Sequence, residues 1–151
     1  MEARDVPKIP LQVSRNCVVA SIQVDLTEEV LHQFRSDLLE LLHSSGANGV
    51  ILDVSGVEVL DLEDFDALRR SMAMAALMGA RTTFSGFRPG VVSSLVELDA
   101  DVERVIAALN MDEAFRAMEE RIHIDRGRDQ SEPLDLAAPI VEEQGENREA
   151  E

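Results

Sequence analysis

Tryptophan and tyrosine are missing from this sequence, and aromatic residues reach only 3% of it, which argues against a core built on large rings. The 151 residues, 45% of them hydrophobic, suffice for one compact domain, so the core is expected to be aliphatic and filled out by methionine. Basic charge is scarce as well. Lys8 is the only lysine, and 14 lysines and arginines face 30 acids, for a formal net charge of -16. Such a chain repels nucleic acid and anionic lipid, because phosphate binding needs clustered Lys and Arg. Protein partners remain. The single cysteine, Cys17, rules out an internal disulfide. No apolar run approaches the roughly 20 residues that span a bilayer, and the opening MEARDVPK lacks the basic-then-apolar order of a signal peptide, so a cytoplasmic location is expected. The motifs GxxxxGKS/T, GxGxxG and GxSxG do not occur, which removes the commonest phosphate and nucleophile signatures.

What is present is a regular alternation of elements. IPLQVSRN and CVVASIQV, parted by the turn residues Ser14, Arg15 and Asn16, read as an opening hairpin. Val30, Leu31, Phe34, Leu38, Leu41 and Leu42 fall at helical spacing. Thr27 is the expected N-cap of that helix, Glu28 and Glu29 its acidic first turn and Gly46 its stop. GVILDV is apolar without alternation, as a central strand covered on both faces would be. Leu62, Phe65, Leu68, Met72, Ala75 and Ala76 then form a stripe on a second helix that ends at Gly79. ARTTFSGF reads as a strand, Pro89 as the first residue of a third helix, ERVIAAL as a short strand and MDEAFRAMEERIH as the last helix. A strand pair followed by alternating helices and strands implies an α/β fold, a mixed sheet of about four to five strands flanked by about four helices. From Asp125 the composition becomes acidic, proline-containing and aperiodic. Residues 7–124 are therefore expected to form the domain and 125–151 a disordered acidic tail, in which LAAPIV is the one segment suited to docking.

The densest chemistry lies between Val50 and Met72, where Asp53, Glu58, Asp61, Glu63, Asp64 and Asp66 precede the first base, Arg69. A phosphoacceptor or metal site needs acids to hold Mg²⁺ and a cation to neutralise phosphoryl oxygens, and no lysine lies near these acids in sequence. His32, His43 and His123 lack metal-ligand spacing, and Cys17 has no histidine beside it in sequence, so a small buried hydrophobe is the expected role of that thiol. Neither an enzyme nor a cofactor or metal site is expected. Asp61 stands where a strand gives way to a helix, which places Glu63 and Asp64 in the first turn. There, positive partial charge favours acids by about 0.3 to 1 kcal/mol each. An exposed anionic helix start is also a docking point for a partner bearing Arg or Lys.

PKIPLQVSRNCVVASIQVDLTEE, GANGVILDVSGVEVLD, ALMGA, FSGFRPGVVSSLVELD and the closing helix, in this order and spacing, resemble a STAS domain of the anti-sigma-factor antagonist family, in its stressosome-scaffold branch. The likeness runs over about Pro7 to Arg121, and it rests on the combination of motifs rather than on any one. It implies a sheet flanked by four helices and a non-enzymatic scaffold that assembles with homologous STAS proteins. It further implies binding of a GHKL-type serine/threonine switch kinase or an anti-sigma factor in a partner-switching stress pathway. In that family the Asp ending the acidic loop is followed by a phosphorylated Ser or Thr. Here Asp61 is followed by Leu62. The resemblance makes Asp61, Leu62, Glu63 and Asp64 the switch surface, without its switchable hydroxyl, and Ser85 in FSGFRPG a second candidate phosphorylation site. As a turn residue beside Gly86, Ser85 has an equally good structural explanation. The rival function is a stand-alone STAS regulator binding a small ligand or nucleotide, for which an apolar pocket with convergent polar groups is required.

Overall fold

The computed structural model describes residues 7–131. Its elements run β1 (Leu11–Ser14), β2 (Cys17–Ser21), α1 (Glu28–Ser45), β3 (Gly49–Asp53), α2 (Leu62–Leu77), β4 (Arg81–Ser85), α3 (Pro89–Glu97), β5 (Ala107–Ala108) and α4 (Met111–Ser131). The five strands form one sheet in the order β1-β2-β3-β4-β5. β1 pairs antiparallel with β2, and every later neighbour is parallel. This is the expected mixed sheet with four helices.

Local chemistry accounts for the joints. Arg15 and Asn16 both take positive φ, 49° and 63°, the pairing that lets a two-residue turn follow the twist of a hairpin. Thr27 Oγ1 accepts from the Val30 N–H at 3.2 Å, and Gly46 closes α1 in the left-handed conformation at φ 66°, a geometry that costs glycine nothing. Pro89 opens α3 as anticipated.

Side-chain alternation divides the sheet between two cores. Val18, Ala20, Val50, Leu52 and Phe84 join Val30, Phe34 and Leu38 of α1, Phe65 and Leu68 of α2, and Val91 and Leu95 of α3. Cys17, Val19 and Ile51 point the other way, against Ala114 and Met118 of α4. The unbroken apolar runs in β2 and β3 are thereby explained, since both faces of these strands are covered. Phenylalanine contributes more than its scarcity suggested. Phe87 stacks on Phe84 with ring centroids 5.3 Å apart, and Phe65 lies 6.2 Å from Phe84, placing three rings under one end of the sheet.

One expectation changes. ERVIAAL supplies only Ala107 and Ala108 to the sheet, because Arg104 turns to φ 65° and Val105 N–H bonds back to Val102 O, so extended backbone begins later. α4 is assigned over Met111–Ser131. The remainder of the expected tail, LAAPIV included, lies outside the described residues.

Candidate partner-binding site

The acidic segment sits at the C-terminal end of the parallel strands. β3 ends at Asp53, whose Oδ1 accepts from Ser55 N–H at 3.0 Å. Val54 N–H reaches Ser85 O at 2.9 Å, tying the start of the loop to the end of β4. Val54, Val57 and Leu60 then turn inward and are buried. Val59 between them is 86% exposed, so the loop is pinned by three apolar anchors and offers a fourth side chain to solvent. Asp61 caps α2: its Oδ1 accepts from Asp64 N–H at 2.7 Å. Leu62 follows, half-buried, between exposed Asp61 and exposed Glu63.

The expected dipole stabilisation of these first-turn acids is outweighed at Asp64. Its pKa is raised above the ordinary carboxylate value, first by burial and then by the charges of Asp61 and Glu63, with a side-chain hydrogen bond to Asp61 adding to the effect. The Asp64 carboxyl is thus harder to ionise than a free one despite standing in the first turn of α2.

Beside this turn, Ile22, Val24, Leu26, Val57 and Val59 line a groove of about 690 Å³ whose remaining walls include Asp25, Glu58 and Asp64. No Arg, Lys or His lines it. A groove of mixed aliphatic and acidic lining can take an apolar side chain flanked by basic ones.

One base does reach the acidic loop, from a position that no sequence pattern singles out. Arg88, just before Pro89, donates from Nε to Ser55 O at 2.8 Å and places Nη1 at 3.5 Å from Glu58 Oε1. Gly86, at φ 81°, lets the two loops come together: a Cβ there would lie 2.9 Å from Ser55 Cβ. Spacing could not reveal the Arg88 contact, because the partners are 33 residues apart. Asp66 belongs to a separate pair, 3.2 Å from Arg69.

Ser85 is brought next to the acidic loop but inward. It is 1% exposed, its Oγ has no hydrogen-bond partner among the described residues, and its Cα lies in register with Asp53. In this conformation that oxygen is closed to a kinase. The other candidates stand apart. Cys17 is buried, and burial followed by the charge of Glu119 pushes its thiol up to about 11, which keeps it protonated. His32 Nδ1 lies 3.0 Å from Arg35 on the outer face of α1. Among the described residues no three His, Cys, Asp or Glu are grouped to hold a metal ion, and no helix is long and apolar enough to cross a membrane.

Comparison with known proteins places this geometry. A family model described as STAS domain matches residues 8–123. Among solved structures, a Moorella thermoacetica RsbS carrying a serine-to-glutamate substitution is similar at 23% identity and a TM-score of 0.66, covering 76% of this chain and 97% of that one. A chain from the molecular architecture of the stressosome, described as a signal integration and transduction hub, is similar at 24% identity and a TM-score of 0.66, covering 75% and 98%. The anti-sigma factor antagonist SpoIIAA in its unphosphorylated form is similar at 16% identity and a TM-score of 0.52, covering 80% and 97%. At these identities the likeness is one of fold. No curated protein matches the sequence.

Proposed function

This chain belongs to the STAS domain family, and from that premise we propose that it is a non-enzymatic scaffold and antagonist in partner-switching stress signalling. In this reading it assembles with homologous STAS proteins and binds a GHKL-type switch kinase or an anti-sigma factor through Asp61, Leu62, Glu63 and Asp64. The observation that carries the reading is the acidic start of α2 beside a groove lined by aliphatic side chains and by Asp25, Glu58 and Asp64, without bases. That surface complements a basic partner that also brings an apolar side chain.

Leu62 sets the character of the switch. A phosphoserine at this position would bring about -1.5 to -2 charges; leucine brings none, while Glu63 and Asp64 supply permanent charge next to it. The partner is therefore held constitutively. Two experiments test this. Sizing chromatography with a STAS paralogue should give a discrete large assembly. Affinity for the switch kinase should be equal for the native chain and Leu62→Ser without ATP, and should fall with ATP only for Leu62→Ser. A loss of about tenfold without ATP would instead make Leu62 an apolar anchor for the partner, consistent with the 1.5 to 3 kcal/mol that burying a whole leucine contributes. Absence of any binding to kinase or paralogue at micromolar concentrations overturns the proposal.

A further inference from the structure

A second groove, of about 560 Å³, lies on the far side of α2, between that helix and the connection from α3 to β5. Its apolar wall is made by Met72, Ala73 and Ala76 of α2 facing Val105 and Ile106. Arg69 and Arg104 also line it, together with Asp101 and Glu103. Two guanidiniums in one concave site stand out on a chain of formal charge -16.

Among the described residues neither arginine has its donors fully matched by protein acceptors. Of the five N–H donors that a guanidinium carries, Arg69 uses Nη2 on Asp66 Oδ1 at 3.2 Å. Its Nη1 stands 3.7 Å from Asp101 Oδ2, an ion pair too long for a hydrogen bond, and its Nε is buried without a partner. Asp101 is committed elsewhere, because its Oδ1 accepts from Glu103 N–H at 3.2 Å in a local turn. Arg104 is exposed, makes no hydrogen bond or ion pair among the described residues, and holds a left-handed backbone at φ 65°. Asp99 at φ 58° brackets the same connection. Buried polar groups are ordinarily paired, and Arg69, which lines the groove, has an unpaired buried Nε and an Nη1 with only a long contact, so its guanidinium has donor capacity left for an acceptor in the groove.

We propose that this groove binds a small amphipathic anion, a carboxylate on a short aliphatic chain. The carboxylate takes the place of Asp101 on Arg69 and pairs with Arg104, and the chain lies along Met72, Ala73, Ala76, Val105 and Ile106. A planar heteroaromatic ligand such as a nucleobase fits less well. The one ring in the lining, Phe84, is 3% exposed and already stacked on Phe87. A saturated chain needs no stacking surface, and the volume lies within the range of small-molecule sites. Binding would tie the 99–106 connection to α2, the helix whose other end carries the acidic surface. The inference goes beyond the partner-binding reading and does not depend on it.

Octanoate is the probe, with the full chain, followed by thermal unfolding and by titration calorimetry. A ligand of this size and ordinary efficiency binds with a Kd near the millimolar range, and at roughly tenfold that concentration Tm should rise by about 5 °C. Acetate and octanamide at the same concentration should give no comparable rise, since each lacks one half of the recognition. Arg104→Gln should weaken octanoate by about tenfold, as expected for loss of one charge-assisted contact, and Arg69→Gln should abolish the shift. Ala73 is exposed, so Ala73→Leu should fill the groove and block binding without disturbing the core, which keeps the test valid if Arg69→Gln fails to fold. Kinase binding by Ala73→Leu should match the native chain, so failure here is separable from failure of the partner-binding proposal. No shift at about 10 mM octanoate, an equal shift with octanamide, or an undiminished shift in Arg104→Gln and Ala73→Leu overturns the assignment.

Discussion

Two loops leave neighbouring parallel strands at the same end of the sheet, residues 54–61 after β3 and residues 86–88 after β4. The first is long, carries Glu58 and Asp61 and leads straight into Glu63 and Asp64, with three buried apolar anchors beneath it. The second has three residues, one base and a glycine that nothing else fits. Acidic chemistry is on the first loop, whereas the second supplies what joins the two: Arg88 holds Ser55 O and faces Glu58, and Gly86 makes room for Ser55. Asp53 and Asp61 make local bonds within the segment, the neighbouring loop supplies the link between the two, and Glu58, Asp61 and Glu63 stay exposed.

Breaking the seam between the loops should have the largest effect. Gly86→Ala combines a left-handed backbone with a Cβ 2.9 Å from Ser55 Cβ, so a loss of about 2 to 4 kcal/mol is expected in urea unfolding, from backbone strain plus overpacking. A loss below about 1 kcal/mol would mean the two loops are not locked together. Arg88→Ala should cost less, about 0.5 to 1.5 kcal/mol, nearly all of it from the bond to Ser55 O. The contact to Glu58 is long and exposed and contributes little. Glu58→Gln should accordingly be near-silent in stability, while Arg88→Ala should speed amide exchange at residues 55–58. If Glu58→Gln costs as much as Arg88→Ala, the ion pair rather than the backbone bond holds the loop.

The difference between the two loops also marks what was legible in the sequence. Elements with a local cause were readable: Thr27 and Gly46 bound α1, Pro89 starts α3, and the unalternating GVILD sits at the centre of the sheet, each for a reason contained within a few residues. The acids from Asp61 to Asp64 were readable for the same reason, as a helix start: Asp61 caps α2, Glu63 and Asp64 stand in its first turn, and of these only Asp64 lines the groove. The Arg88 bond spans 33 residues and leaves no periodic or capping mark. Ser85 looked like an accessible turn hydroxyl because its neighbours are Gly86 and Phe87; only the sheet, which sets it in register with Asp53, turns it inward. The Arg69 groove was likewise illegible, since Asp101 and Arg104 reach α2 through a connection whose left-handed residues, Asp99 and Arg104, are not glycines.

The smallest expected effect sharpens the account of the acidic loop. Asp64 titrates above the ordinary carboxylate value, through burial and then the charges of Asp61 and Glu63. Its folded-state pKa therefore exceeds the unfolded one. Between the two values the folded chain binds the proton more tightly, so stability rises as pH falls through the raised pKa and is lost as pH climbs back toward neutral. Asp64→Asn removes the charge at every pH while leaving the backbone N–H that Asp61 accepts, so it should raise Tm slightly near neutrality. The gain should fade as pH falls through the raised pKa, where native Asp64 becomes neutral anyway. Tm measured for both chains across that interval decides it. Convergence at low pH with a gap at neutrality identifies Asp64 as a charge held against its own stability for the sake of the surface; a lower Tm for Asp64→Asn at neutrality would mean that the positive end of α2 outweighs the neighbouring acids after all.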